Sequence, residues 1–111
     1  MADLDLTLAA LADPTRRGVL ELLRDKPLRA SDIADSLAMT RPAMSRHLRV
    51  LRKAGLVREE GLESDARARV YQLERAPLSQ LGSWVEHMEA FWGDQLAAFK
   101  AHAERGRKRK P

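Results

Sequence analysis

A chain of 111 residues has room for one compact domain, and the absence of cysteine excludes disulfides, thiolate metal sites and thiol redox chemistry. Hydrophobic content of 44% suits a globular core, and no apolar run approaches the roughly 18 residues that span a bilayer. The formal net charge of +4 comes from the end of the chain: without Arg105, Arg107, Lys108, Arg109 and Lys110, 15 basic residues face 16 acidic ones. Overall charge is therefore weak evidence for a polyanionic partner, and placement within the body decides the matter. The first residues carry Asp3 and Asp5 where a secretory leader carries positive charge, so a cytoplasmic location with no membrane association is expected.

Leu4, Leu8 and Leu11 recur at i, i+4 and i+7 and predict a first helix with one apolar face. Asp13-Pro14 restarts the chain, with Asp13 as N-cap and Pro14 as first helical residue of a second helix to about Arg24. Val19, Leu20, Leu22 and Leu23 are its core residues, and Lys26-Pro27 ends it. Ser31 is the expected cap of a short third helix bearing Ile33, Ala34 and Leu37, with Asp32 favoured at its positive end. Thr40 caps a fourth helix that tolerates Pro42 in its first turn, runs through Lys53 and stops at Gly55. Two helices joined by so tight a turn have the dimensions of a helix-turn-helix.

Leu56–Glu60 and Ala68–Leu73 read as two short strands around a polar loop, Gly61 to Arg67, with Tyr71 and Leu73 packing toward the fourth helix. Such a loop is long for a tight hairpin and normal for a wing. Pro77 opens a last helix to about Glu104, some 40 Å long at about 1.5 Å per residue. The fold class expected is mainly α with a small β-hairpin: a winged helix-turn-helix over 1–104, dimerising through its N- and C-terminal helices. Residues 77–104 form the dimerisation helix and 105–111 a basic flexible tail, which serves as solubilising charge or as a non-specific attraction to phosphate.

On a helical wheel of residues 41–53, Met44, His47, Leu48 and Leu51 gather on one side. Pro42, Ser45, Arg46, Arg49 and Lys53 gather opposite, with Arg41 and Arg52 at the margins. From Thr40 to Arg58 there are six basic residues and no acid, in a chain that is 32% charged with nearly balanced signs. A solvated face is the ordinary fate of such a run, but the short helix before it and the hairpin after it favour the major groove of DNA. Arginine binds guanine edges bidentately, serine contacts bases or phosphates, and helix N-terminal amides suit phosphate beside Thr40 and Arg41. The candidate DNA-binding residues are Thr40, Arg41, Pro42, Ser45, Arg46, Arg49 and Lys53, joined by Arg67 and Arg69 of the wing. Glu59, Glu60, Glu63 and Asp65 share that hairpin and oppose a phosphate contact there. His47 borders the apolar face and reads as a packed, hydrogen-bonded histidine, and Asp13-Pro14-Thr15 as a helix start rather than a site.

Along the last helix Leu78, Leu81, Val85, Met88, Trp92, Leu96 and Phe99 step by three or four, and Trp84 and Phe91 widen the row. An apolar face so long wants a second copy of the chain. The expected dimer interface joins Leu4, Leu8 and Leu11 to Leu81, Trp84, Val85, Met88, Phe91, Trp92, Leu96 and Phe99. An aromatic effector pocket around Trp84, Phe91 and Trp92 is the lesser alternative. Gly82 and Gly93 each cost about 1 kcal/mol in a helix interior and mark either close helix contact or a bend.

Leu11-Ala12-Asp13-Pro14-Thr15-Arg16-Arg17, Ser45-Arg46-His47-Leu48-Arg49-Val50-Leu51 and Ala54-Gly55-Leu56-Val57 resemble the ArsR/SmtB family of bacterial winged-helix repressors, over about residues 5–100. The resemblance implies a homodimer that occludes promoters, with Ser45, Arg46 and Arg49 at base-reading positions and Leu48 and Leu51 in the core. It also implies metal sensing, but the stretch matching the family's thiolate motif reads Ala30-Ser31-Asp32-Ile33-Ala34-Asp35-Ser36-Leu37, with no soft ligand. On the last helix His87 and His102 are fifteen apart and do not match the paired His and carboxylate pattern, which Asp94 and Glu104 do not repair.

The expectation is a sequence-specific, double-stranded-DNA-binding regulator: a homodimeric repressor on an inverted-repeat operator, with no metal, no cofactor and an unidentified effector. The alternative is a protein-interaction module that uses the aromatic helix without specific DNA binding. Three scattered histidines and no glycine-rich phosphate loop argue against an enzyme.

Overall fold

Side-chain caps set most of the helix starts. The structure, a computed structural model, describes residues 3–62 and 65–108, with the backbone alone at 62, 65–68, 107 and 108. Asp3 accepts from the amides of Asp5 (2.9 Å) and Leu6 (3.3 Å) and opens α1 (Leu4–Leu11). Asp13 accepts from Thr15 (2.8 Å) and Arg16 (3.2 Å) and opens α2 (Pro14–Leu23), with the proline at its start as expected. The Arg16 amide is the main reason that the Asp13 carboxyl is held below its ordinary range; desolvation opposes it and the Thr15 amide reinforces it.

The third helix begins differently from the expectation. Ser31 is not its cap: α3 (Ala30–Ser36) starts behind Arg29, whose side chain makes no capping bond. The chain arrives there from β1 (Leu28–Arg29), which pairs antiparallel with Tyr71 and Val70, so a strand ladder rather than a hydroxyl fixes the helix start. Thr40 does cap α4 (Arg41–Lys53), its Oγ1 accepting from the Ala43 amide at 3.3 Å.

The strands β2 (Val57–Leu62) and β3 (Asp65–Leu73) reach further than expected into the segment read as a polar loop. Their antiparallel register runs from Val57↔Leu73 to Gly61↔Arg69 and then shifts, so that Leu62 faces Asp65. With β1 added, the expected hairpin becomes a three-stranded sheet of order β1-β3-β2. α5 (Ala76–Lys108) opens one residue before Pro77 and runs past Glu104, so residues 105–108 continue the helix instead of beginning a tail. Residues 109–111 of that expected tail lie outside the described residues.

The chain divides into two compact units, residues 1–81 and 82–111. The first holds the core, where Val19, Ile33, Met44, Leu48, Leu51 and Leu56 are each at most 1% exposed. Full burial of a side chain of this size stabilises by about 1.5–3 kcal/mol. Tyr71 and Leu73 of β3 pack against this core, as does Leu78 at the start of α5. In α1 the core takes Thr7 and Ala10 rather than the leucine stripe: Leu11 packs against it, while Leu8 is 44% exposed. Thr7 is tolerated because its hydroxyl donates to the Asp3 carbonyl at 3.1 Å.

In the second unit the helix presents Trp84, Val85, Phe91, Trp92, Leu96 and Phe99 exposed. Phe91 and Trp92 meet edge to face, their ring centroids 5.7 Å apart. Among the described residues no helix is long and apolar enough to cross a membrane.

Candidate nucleic-acid interface

The helix-turn-helix is held by two copies of one hydrogen-bond motif. At the end of α3, the Met39 amide donates to the Ala34 carbonyl (2.9 Å) and the Ala38 amide to that of Asp35 (3.2 Å). At the end of α4, the Leu56 amide donates to the Leu51 carbonyl (2.9 Å) and the Gly55 amide to that of Arg52 (3.0 Å). This pairing needs one left-handed residue. Gly55 supplies it at φ 75°, and Ala38 at φ 53°, where an L side chain costs about 1–2 kcal/mol. Residues 37–40 thus form a short turn of defined geometry that sets the start of α4 against α3.

Buried Met44, Leu48 and Leu51 fix α4 by one side. Arg41, Pro42, Ser45, Arg46, Arg49 and Lys53 are all exposed on the other, which gathers seven of the nine expected DNA-binding residues, counting exposed Thr40, at one helix surface. The start of that helix offers less to a phosphate than the sequence suggests. Pro42 has no N–H, the Ala43 amide is taken by Thr40 Oγ1 and the Met44 amide by the Thr40 carbonyl, which leaves the Arg41 amide and guanidinium.

His47 is half-buried and serves packing, as expected. Arg16 Nη1 stands 3.3 Å from its Nδ1. The same Arg16 donates through Nε to the Ala10 carbonyl (2.8 Å) and through Nη2 to that of Ala9 (3.1 Å). Arg17 donates to the Leu11 carbonyl at 2.7 Å. Two arginines of α2 thereby satisfy the open carbonyls of α1, and one of them ties α1 to α4 through His47. Sequence reading missed Arg16 because 31 residues separate it from its histidine.

In the wing, the Arg67 side chain lies outside the described residues, while Arg69 is exposed. Glu59 and Glu60 of the hairpin are engaged with cations of the hairpin and of α4. Glu59 meets Arg52 Nη1 at 2.6 Å and Arg69 Nε at 3.6 Å. Glu60 accepts from Gln72 Nε2 at 2.7 Å and lies 3.3 Å from Arg58, whose Nη1 is also 3.1 Å from Glu74. Burial, then the neighbouring Glu59 charge, raises the ionisation of Tyr71 above that of a free phenol, so the ring opposite Glu59 stays neutral.

A family model for bacterial regulatory proteins of the arsR family matches residues 13–59, from the Asp13 cap through α4 to Glu59. The HTH-type transcriptional regulator Rv2034 of Mycobacterium tuberculosis is 38% identical over 90 residues, 81% of this chain and 78% of that protein. The ArsR-like transcriptional regulator from Rhodococcus sp. RHA1 superposes with a TM-score of 0.83 at 33% identity, covering 92% of this chain and 91% of that one. The chain belongs to the arsR family.

This arsR-family chain is accordingly a DNA-binding transcription regulator with the winged helix-turn-helix fold, and not an enzyme. A further relative, the transcriptional repressor SdpR of Bacillus subtilis, is 40% identical over 48 residues, 43% of this chain and 53% of that protein. The chain has no cysteine, and among the described residues no group of three or more His, Asp or Glu side chains converges to hold an ion.

Proposed function

We propose that this protein is a homodimeric, metal-independent repressor that occupies an inverted-repeat operator through two copies of α4. One observation carries the reading: an exposed cationic face without an acid from Thr40 to Arg58, on a helix anchored by Met44, Leu48 and Leu51. Ser45, Arg46 and Arg49 lie at mid-helix, where side chains entering the major groove reach base edges. Arg41 and Lys53 flank them and meet phosphates, while Thr40 and Pro42 shape the helix start. Arg67 is the wing's candidate for the backbone or the minor groove, and Arg69, which Glu59 engages, for the minor groove alone.

Pairing accounts for the apolar surface that neither unit covers by itself: Leu8 of α1 and the stripe from Trp84 to Phe99 of α5. A dimer so formed offers two reading helices to successive major grooves, about 34 Å apart. Repression follows from occupancy, which excludes polymerase, and the relative SdpR is named a repressor. The lack of any cysteine supports release by something other than a thiolate-bound metal.

A mobility-shift titration against DNA upstream of the protein's own gene tests the reading. The double variant Arg46→Ala, Arg49→Ala is expected to weaken specific binding by about a hundredfold or more, since each bidentate base contact is worth about 1–3 kcal/mol. Unchanged binding in that variant rejects the assignment of α4. The exposed aromatic stripe favours one competitor, a pairing module without specific DNA binding; it predicts a stable dimer that shifts no operator.

A further inference from the structure

Arg52 belongs to the last turn of α4 and Arg69 to β3, yet both reach the carboxylate of Glu59 on β2. Arg52 Nη1 stands 2.6 Å from Oε2, and Arg69 Nε stands 3.6 Å from Oε1, so each oxygen is occupied by a different cation. The glutamate is 20% exposed against 53% and 63% for the two arginines. The acid is thus the fixed, sheltered member, and the cations are drawn to it from either side of the junction between helix and wing. Arg46 and Arg49, two turns and one turn earlier on α4, have no acidic partner among the described residues.

We propose that Glu59 withholds Arg52 and Arg69 from DNA phosphates, lowering the sequence-independent part of the affinity while leaving Arg46 and Arg49 to read bases. The inference rests on the α4 reading above. Each free cation that meets a phosphate releases counterions and adds about 0.9 to the slope of log affinity against log salt, whatever the sequence. A carboxylate already in contact with two such cations cancels part of that gain and repels the phosphate itself. Base contacts from Arg46 and Arg49 are untouched, so base readout supplies a larger share of the total affinity for the operator.

The test is Glu59→Gln in the full chain, which keeps the size and the acceptor oxygen and removes the charge. Fluorescence anisotropy is followed on a random-sequence duplex and on the DNA upstream of the protein's own gene, between about 50 and 200 mM salt. Glu59→Gln is expected to bind the random duplex about tenfold more tightly at low salt and to steepen the salt slope by about 1–2 per protomer. The upstream DNA gains affinity by a similar factor, since the freed cations meet phosphates on either duplex. An unchanged slope on both duplexes overturns the proposal.

Arg52→Gln provides the second arm and leaves Glu59 charged: its salt slope is expected to match wild type. A slope shallower by about 1 per protomer would show Arg52 on a phosphate and overturn the proposal. Arg46→Ala, Arg49→Ala in the same titration separates the two claims. If it loses the upstream DNA while Glu59→Gln behaves as wild type, the Glu59 role alone fails; if it binds as wild type, the α4 reading fails as well.

Discussion

α4 and the distal part of α5 carry apolar residues at the same helical spacing and meet opposite fates. Met44, Leu48 and Leu51 are shut inside the first unit, whereas Trp92, Leu96 and Phe99 are 58–72% exposed in the second. Spacing shows that a helix has an apolar face; it does not show whether the partner of that face is already in the same chain. The α4 face is complete and serves to hold a cationic surface steady. The α5 face is open, and the proposed dimer closes it.

That difference breaks most visibly through the core. Leu51→Ala is expected to cost about 2–5 kcal/mol in denaturant unfolding, because a fully buried leucine leaves a cavity behind. A loss below about 1 kcal/mol would place α4 in a looser setting than the structure shows. The double variant Trp92→Ala, Phe99→Ala is the counterpart. Its folding stability at concentrations where the chain is single should change by less than about 0.5 kcal/mol per site, as exposed side chains do. Sedimentation should then give the mass of one chain, and affinity for the upstream DNA should fall about a hundredfold as two linked half-sites become independent. A dimer that survives both changes would move the interface away from the α5 stripe.

A smaller contrast lies within the first unit, where α3 and α4 end in the same hydrogen-bond motif with different residues at the left-handed position. Gly55→Ala should cost about 1–2 kcal/mol in a thermal melt. Ala38→Gly should gain about 0.5 kcal/mol, the relief of the left-handed alanine exceeding the added freedom of the unfolded chain. Equal and opposite effects would mean that the two turns are equally strained, and no gain at Ala38 would mean that the αα turn is held by its packing alone.

The parts of the fold legible in the sequence are those fixed by local chemistry. Asp13, Thr40 and Gly55 announce their helix ends because capping involves residues two to five apart. β1 was not legible: two residues show no period, and their conformation depends on Val70 and Tyr71 some forty positions later. The reach of β2 and β3 was not legible because Gly61, Asp65 and Arg67 read as a polar loop, while backbone pairing does not need an apolar face. In α1 the leucine stripe was visible but its direction was not, since the core chose Thr7 and Ala10.

Of the candidate site, the exposed residues of α4 were legible from the wheel. The Arg52–Glu59–Arg69 arrangement was not, because Gly55 reverses the chain between the first two and only the β2–β3 register brings the third to them. The Arg16–His47 tie depends likewise on how α2 packs beside α4.

Methylation interference at guanine N7 tests the central claim most directly, because bidentate arginine contacts on a guanine edge require that atom. On the DNA upstream of the protein's own gene, the account predicts two patches of major-groove interference centred about 10 base pairs apart, both lost in Arg46→Ala, Arg49→Ala. Protection confined to the minor groove, or a pattern that the double variant leaves intact, would contradict a reading role for α4.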